Sequence, residues 1–159
     1  MNIKKKIRPL IKFVVIISTI LLVSAACNSK KPTANYRAPL TVGSKQIFVE
    51  IMDTPQKQAQ GLSGREKLES DQGMLFDFSK NNPEGVIPNF WMKEMKFNLD
   101  IIWIWDKKII GITTDVPAPL TPQSELPFYS PPTPVDMVLE VNANWSEKND
   151  VKVGNEVGF

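Results

Sequence analysis

Arg65, Trp91, Lys93 and Asp100 are the side chains of this sequence best suited to hold a ligand. Arg65 ends a glycine-rich bend, Gly61-Leu62-Ser63-Gly64-Arg65, and a guanidinium on such a bend can fork onto a carboxylate or phosphate. The same group would serve equally well to clamp loop carbonyls or a nearby acid, and both roles are open. In the run FWMKEM at 90–95 a strand period puts Trp91, Lys93 and Met95 on one face and Phe90, Met92 and Glu94 on the other. A lysine between a tryptophan and a methionine must reach solvent or find an anion. On the following strand Asp100 shares a face with Ile102 and Ile104, where a carboxylate needs a partner. Lys93 and Asp100 could supply each other, or both could meet a ligand at the rim of a barrel.

Absences bound the chemistry. There is no histidine, so Ser-His-Asp and Cys-His catalysis and the usual zinc sites are excluded. No calcium loop of alternating acids occurs, no phosphate loop is formed by Gly64 and Arg65, and no metal or cofactor is implied. The single cysteine, Cys27, allows no internal disulfide. Catalysis, if there is any, would rest on Asp, Glu, Lys, Tyr, Ser or Arg.

Cys27 itself carries an address. Residues 1–26 read as a secretory signal: Lys4, Lys5, Lys6 and Arg8 form a basic start, an apolar run covers 13–23, and Ser24, Ala25 and Ala26 are small. A cysteine directly after such a run resembles the lipobox of bacterial lipoproteins, although Ser24 stands where an aliphatic residue is usual. The apolar run falls well short of the roughly 20 residues of a spanning helix. Acyl chains on Cys27 would hold the protein stably on a bacterial membrane, facing outward from the cytoplasm. Five of the 19 basic residues precede Cys27, so the remainder carries 14 bases against 17 acids, a net of −3. No basic patch argues for nucleic acid.

The elements that must position the candidate residues are mostly short strands. Residues 27–40, with Pro32 and Pro39, read as a tether, and 41–159 as a single domain. KQIFVEIM at 45–52 alternates as a half-buried strand. Thr54 and Pro55 begin a short helix that Gly61 ends. GMLFDF at 73–78 is a strand, LDIIWIW at 99–105 is apolar on both faces as in a covered central strand, and Asp106-Lys107 turns into a return strand over 108–116. Seven prolines between 117 and 134 predict a stiff crossing loop. VDMVLEV at 135–141 resumes a strand, Asn144 with Glu147 suggests a capped helical turn, and KVGNEVGF at 152–159 closes with a strand. The sum is a mainly β fold, a compact small barrel or sandwich of about seven short strands with one short helix and one helical turn. Trp91, Trp103 and Trp105, with Phe76, Phe78, Phe90 and Phe97, then either fill the core or frame an aromatic cleft.

The segments GLSGR, LESDQGMLFDF, FWMKEMKFNLDIIWI, VLEVNANW and VKVGNEVGF together resemble the uncharacterised bacterial and archaeal family DUF192, also called UPF0127. The likeness runs from about Val42 to Phe159, and the matching motif positions are Arg65, Gly73, Met74, Trp91, Met92, Lys93, Met95, Asp100 and Glu140. It implies a compact, mainly β domain with a short helix, often secreted or lipid-anchored, and it brings no established reaction, cofactor or catalytic residue. Asn144 stands where the family usually has glycine, and Asn155 follows Gly154 where an aspartate is usual; asparagine tolerates left-handed geometry, so both turns should survive.

Two functions are compatible with these residues. One is a lipid-tethered, extracytoplasmic, non-catalytic module that binds a small ligand or envelope component near Arg65, Trp91, Lys93 and Asp100. The other is a hydrolase or transferase of envelope polymers, with a carboxylate as base and Lys93 or Arg65 stabilising charge.

Overall fold

The computed structural model describes residues 38–121 and 124–159. The segment expected as a signal, Cys27 and nearly all of the expected tether therefore lie outside the described residues.

Seven strands form one sheet in the spatial order β5-β4-β6-β3-β2-β1-β7. β1 (Ala38–Val42) and β2 (Lys45–Met52) make an antiparallel hairpin, and β2 runs parallel to β3 (Gln72–Asp77). β4 (Leu99–Trp105) lies between β5 (Lys108–Val116) and β6 (Met137–Asn142), antiparallel to both, and β6 pairs with β3. β7 (Val157–Gly158) joins the free side of β1. The sheet curls until its two edges touch at one end, where Lys108 bridges Glu156 and Ile109 exchanges backbone bonds with Asn155 and Gly154. The result is a half-barrel.

β1 starts inside the segment expected as tether, because Leu40 and Val42 are fully buried and Ala38 pairs in register with Val49. The parallel β2–β3 pair requires a crossover, and α1 (Pro55–Gln60) begins it. Thr54 caps α1 by accepting the Lys57 N–H, Pro55 occupies the first turn where its missing N–H costs nothing, and Gly61 leaves the helix at φ 50. The Asp106-Lys107 turn has φ values of 45 and 60, the doubly positive geometry that matches the twist of a hairpin.

Both faces of the sheet are buried. The inner face gathers Leu40, Ile47, Leu75, Ile102, Ile104, Leu139 and Val141, and Trp145 of the second helical turn, α2 (Trp145–Lys148), packs onto it. Close approach is tight enough that a Cβ on Gly73 would lie 2.9 Å from Leu139 Cδ1. The outer face carries Met52, Met74, Phe76, Ile101, Trp103 and Val138 beneath loops that contribute Leu62, Leu68, Met92 and Met95. β3, β4 and β6 are thus covered on each side, which explains their nearly continuous apolar runs.

Three expectations are corrected. Residues 91–95 are not a strand: Phe90 alone pairs, as an isolated bridge with Tyr129, and the chain then turns, with the Met95 N–H on the Met92 carbonyl and Glu94 at φ 59. Burial there follows a spacing of three, Met92 and Met95 inward and Trp91, Lys93 and Glu94 outward, because the segment lies across the outer face rather than beside another strand. The closing strand shrinks to two residues, since 152–155 form a turn around Gly154. Asn144 precedes α2 without a side-chain cap; it sits in the left-handed region at φ 64, the geometry for which the family's glycine would serve.

Candidate functional site

The site is built on the outer face. Glu50, Met74, Glu140 and Ile101 stand opposite one another in the ladder of β2, β3, β6 and β4, so they form one row across the sheet. Over this row the Gly61–Arg65 bend is tied to the 90–95 segment: Ser63 Oγ donates to the Lys93 carbonyl at 2.9 Å, the Gly64 N–H donates to the Glu94 carbonyl, and Lys96 pairs with Glu66. The proline-rich loop is pinned alongside, with Phe90 and Tyr129 exchanging two backbone bonds and Ser130 Oγ donating to Asn89.

Between these segments lies a groove of about 460 Å³. Its walls are Leu62, Phe76, Phe78, Pro88, Phe90, Met95 and the end of α1; Trp91 and Phe128 stack at its mouth with ring centroids 5.9 Å apart, and Glu140 lines it from below. Phe76 and Phe90 meet edge to face at 4.8 Å, and Phe90 continues onto Trp103 at 5.7 Å, so the aromatic residues divide between core and groove. Trp103 is core, its indole N–H given to Thr113. The groove's mouth is exposed apolar surface: Trp91 is 48% and Phe128 62% accessible.

Glu140 is 6% exposed, and its Oε2 has no hydrogen-bond partner among the described residues. Burial pushes the carboxyl up to about 8, opposed by the charge of Arg65, so the group is largely protonated at neutral pH. Arg65 forms a 2.8 Å ion pair with Glu50 and thereby neutralises the row's other acid; the contact is one of charges rather than an aligned hydrogen bond.

The four sequence candidates do not converge. Trp91 lines the groove, and Lys93 lies over its ring at 5.6 Å from the centroid, an exposed cation–π contact. Arg65 stands above the row, paired with Glu50. Asp100 is on the other face, fully buried, where its carboxylate accepts the backbone N–H groups of Asp115, Asn144 and Ser146 at 3.0 to 3.1 Å. The expected Lys93–Asp100 pair is therefore not formed: Lys93 is at the surface and Asp100 is held by amides that join the end of β5 to the start of α2. Glu140 was not among the sequence candidates. Its signal was a lone acid inside VLEV, on a strand whose other face was already apolar. Among the described residues no group of three or more acidic, cysteine or histidine side chains is placed to hold a metal ion, and no helix is long and apolar enough to cross a membrane.

Residues 38–159 match the model of DUF192, described as an uncharacterized ACR family, which covers the whole half-barrel. The chain is a member of the DUF192 family. Two solved structures share this DUF192 architecture. A protein of unknown function from Novosphingobium aromaticivorans DSM 12444 is 28% identical with a TM-score of 0.66, over 77% of this chain and 84% of that one. A protein from Sinorhizobium meliloti 1021, described as a candidate transcription regulator, is 31% identical with a TM-score of 0.63, over 76% of this chain and 89% of that one. No curated protein matches the chain.

Proposed function

We propose that this DUF192 domain is a non-catalytic binding module, lipid-anchored outside the cytoplasm through Cys27, which captures a small and largely apolar ligand in the groove between Trp91, Phe128 and Glu140. The observation that carries this reading is the buried, unpartnered Glu140 oxygen at the floor of an aromatic-walled groove. An orphaned buried polar atom is costly, and a ligand's hydrogen bond offsets that cost.

Catalysis is less well supported by the same geometry. One carboxyl lines the groove, whereas hydrolysis by paired acids needs two flanking one substrate; Glu50 is taken by Arg65, and Asp100 faces the other way. The regulator description of the Sinorhizobium protein does not transfer readily either, since residues 38–159 carry 17 acids against 11 bases, the wrong balance for a phosphate backbone.

Mass spectrometry of material copurifying with the full chain tests the groove. A small molecule should accompany the wild-type protein and be reduced at least about tenfold with Trp91→Ala, because truncating an aromatic anchor in such a pocket costs on the order of 1.5 kcal/mol or more. Copurification unchanged in Trp91→Ala places the ligand elsewhere. Cys27→Ala tests the anchor: the protein should leave the membrane fraction or persist as an uncleaved precursor, and unchanged fractionation and processing would remove the lipid from this proposal.

A further inference from the structure

The groove's polar groups are unevenly committed. Gln58 gives its side-chain N–H groups to the Met52 and Asp77 carbonyls, Ser63 gives its hydroxyl to the Lys93 carbonyl, and Asn89 accepts from Ser130. Arg65 is engaged with Glu50. At the floor lies the Glu140 carboxyl, whose Oε2 is buried and has no donor among the described residues. The remaining lining is mostly π faces and aliphatic carbon, with Gln60 at the end of α1. One of those faces already holds a cation, the Lys93 ammonium over Trp91.

We infer that the groove selects a protonated amine with an apolar body, the ammonium donating to the Glu140 carboxyl and the body lying against the rings of Phe76, Phe90, Trp91 and Phe128. This rests on the binding reading above and specifies its ligand class. Charge balance favours the choice. With Arg65 and Glu50 neutralising each other, an arriving anion leaves the half-buried row with an uncompensated negative charge, and desolvating such a charge is expensive. An arriving ammonium instead displaces the carboxyl proton to solvent: Glu140 becomes a carboxylate, the N⁺–H···O⁻ bond replaces an orphaned oxygen, and the row remains neutral.

The inference makes binding proton-linked. The charged groups facing Glu140 are Arg65 from the overlying bend and Glu50 from β2; Asp100 on β4 points to the opposite face, and Glu66, Lys67, Lys93, Glu94 and Lys96 of the covering loops are exposed. A carboxyl that ionises near 8 must lose its proton for the ammonium to bind, so affinity should rise with pH below that point and level off above it.

Phenethylamine, phenethyl alcohol and hydrocinnamate share one apolar body and differ in the head group. Binding of each to the full chain is read by saturation-transfer NMR and tryptophan fluorescence between pH 6 and 9. The amine should bind best, its affinity rising by up to about tenfold per pH unit and flattening near pH 8. Glu140→Gln should lose both the preference over the alcohol and the pH dependence. Equal affinity for amine and alcohol, tighter binding of the acid, or a flat pH profile for the amine overturns the amine assignment and leaves the groove reading standing. Binding of none of the three, or binding unaffected by Trp91→Ala, overturns the groove reading as well.

Discussion

Two buried carboxyl groups sit one ladder step apart on neighbouring strands and have opposite fates. Asp100 of β4 pairs in register with Val141, and Glu140 of β6 with Ile101, so their side chains leave the sheet on opposite faces. Asp100 meets three converging backbone N–H groups and ties β5, β4 and α2 together. Glu140 meets rings, aliphatic carbon, the charge of Arg65 and a groove, with one oxygen unmatched among the described residues. Burial of an acid is therefore not the mark of a site. Satisfaction is what separates a structural carboxylate from one available to a ligand.

Breaking Asp100 should have the largest effect. Asp100→Ala leaves one buried and two part-buried amide donors without an acceptor and should cost about 4 kcal/mol, seen as a fall in Tm of more than about 10 °C. Asp100→Asn, which keeps one acceptor oxygen, should cost roughly half as much. A loss below about 1 kcal/mol for the alanine variant would mean that water satisfies those amides and that the contrast between the two acids is false.

Glu140 gives the next effect, and its sign depends on pH. Its folded value is raised from 4.5 to about 8, so between those limits the native state holds a proton that the unfolded chain releases. This group's contribution is most favourable below about pH 4.5 and is lost as pH rises, until it flattens above about 8. Glu140→Gln should therefore be more stable than wild type at pH 9, by on the order of 3 kcal/mol, and nearly equal to it at pH 5. Urea titrations at several pH values check this; an unchanged pH slope in the glutamine variant would assign the linkage to another group.

The smallest effect belongs to Lys93. Lys93→Met removes an exposed cation–π contact and should change stability by less than about 1 kcal/mol, and by the same amount in an Asp100→Asn background, since the two residues do not meet. Measurable coupling in that double-mutant cycle would restore the ion pair that the sequence suggested.

The alternation in 45–52, the Thr54-Pro55 helix start, the doubly apolar run at 99–105 and the Asp106-Lys107 turn were all legible, because each is decided by neighbours within a few residues. FWMKEM departs from the expected strand because its large apolar residues fit a strand period on paper, whereas the loop crossing the apolar surface buries Met92 and Met95 three apart, and only the absence of a paired neighbour distinguishes the two. Glu140 lay in plain sight within VLEV, yet strand alternation alone assigns such an acid to solvent. It is buried because loops 61–68 and 86–97 cover the outer face, a fact written in contacts between residues far apart in the chain.

The sequence by itself determined the mainly β class, the family, the order of most strands and the residue types available for chemistry, since composition, periodicity and turn residues act locally. Tertiary structure alone decided which acid would be satisfied and which left wanting. Whether a buried oxygen finds a donor depends on backbone amides delivered from β5 and α2, or withheld, by strands and turns more than a dozen residues away.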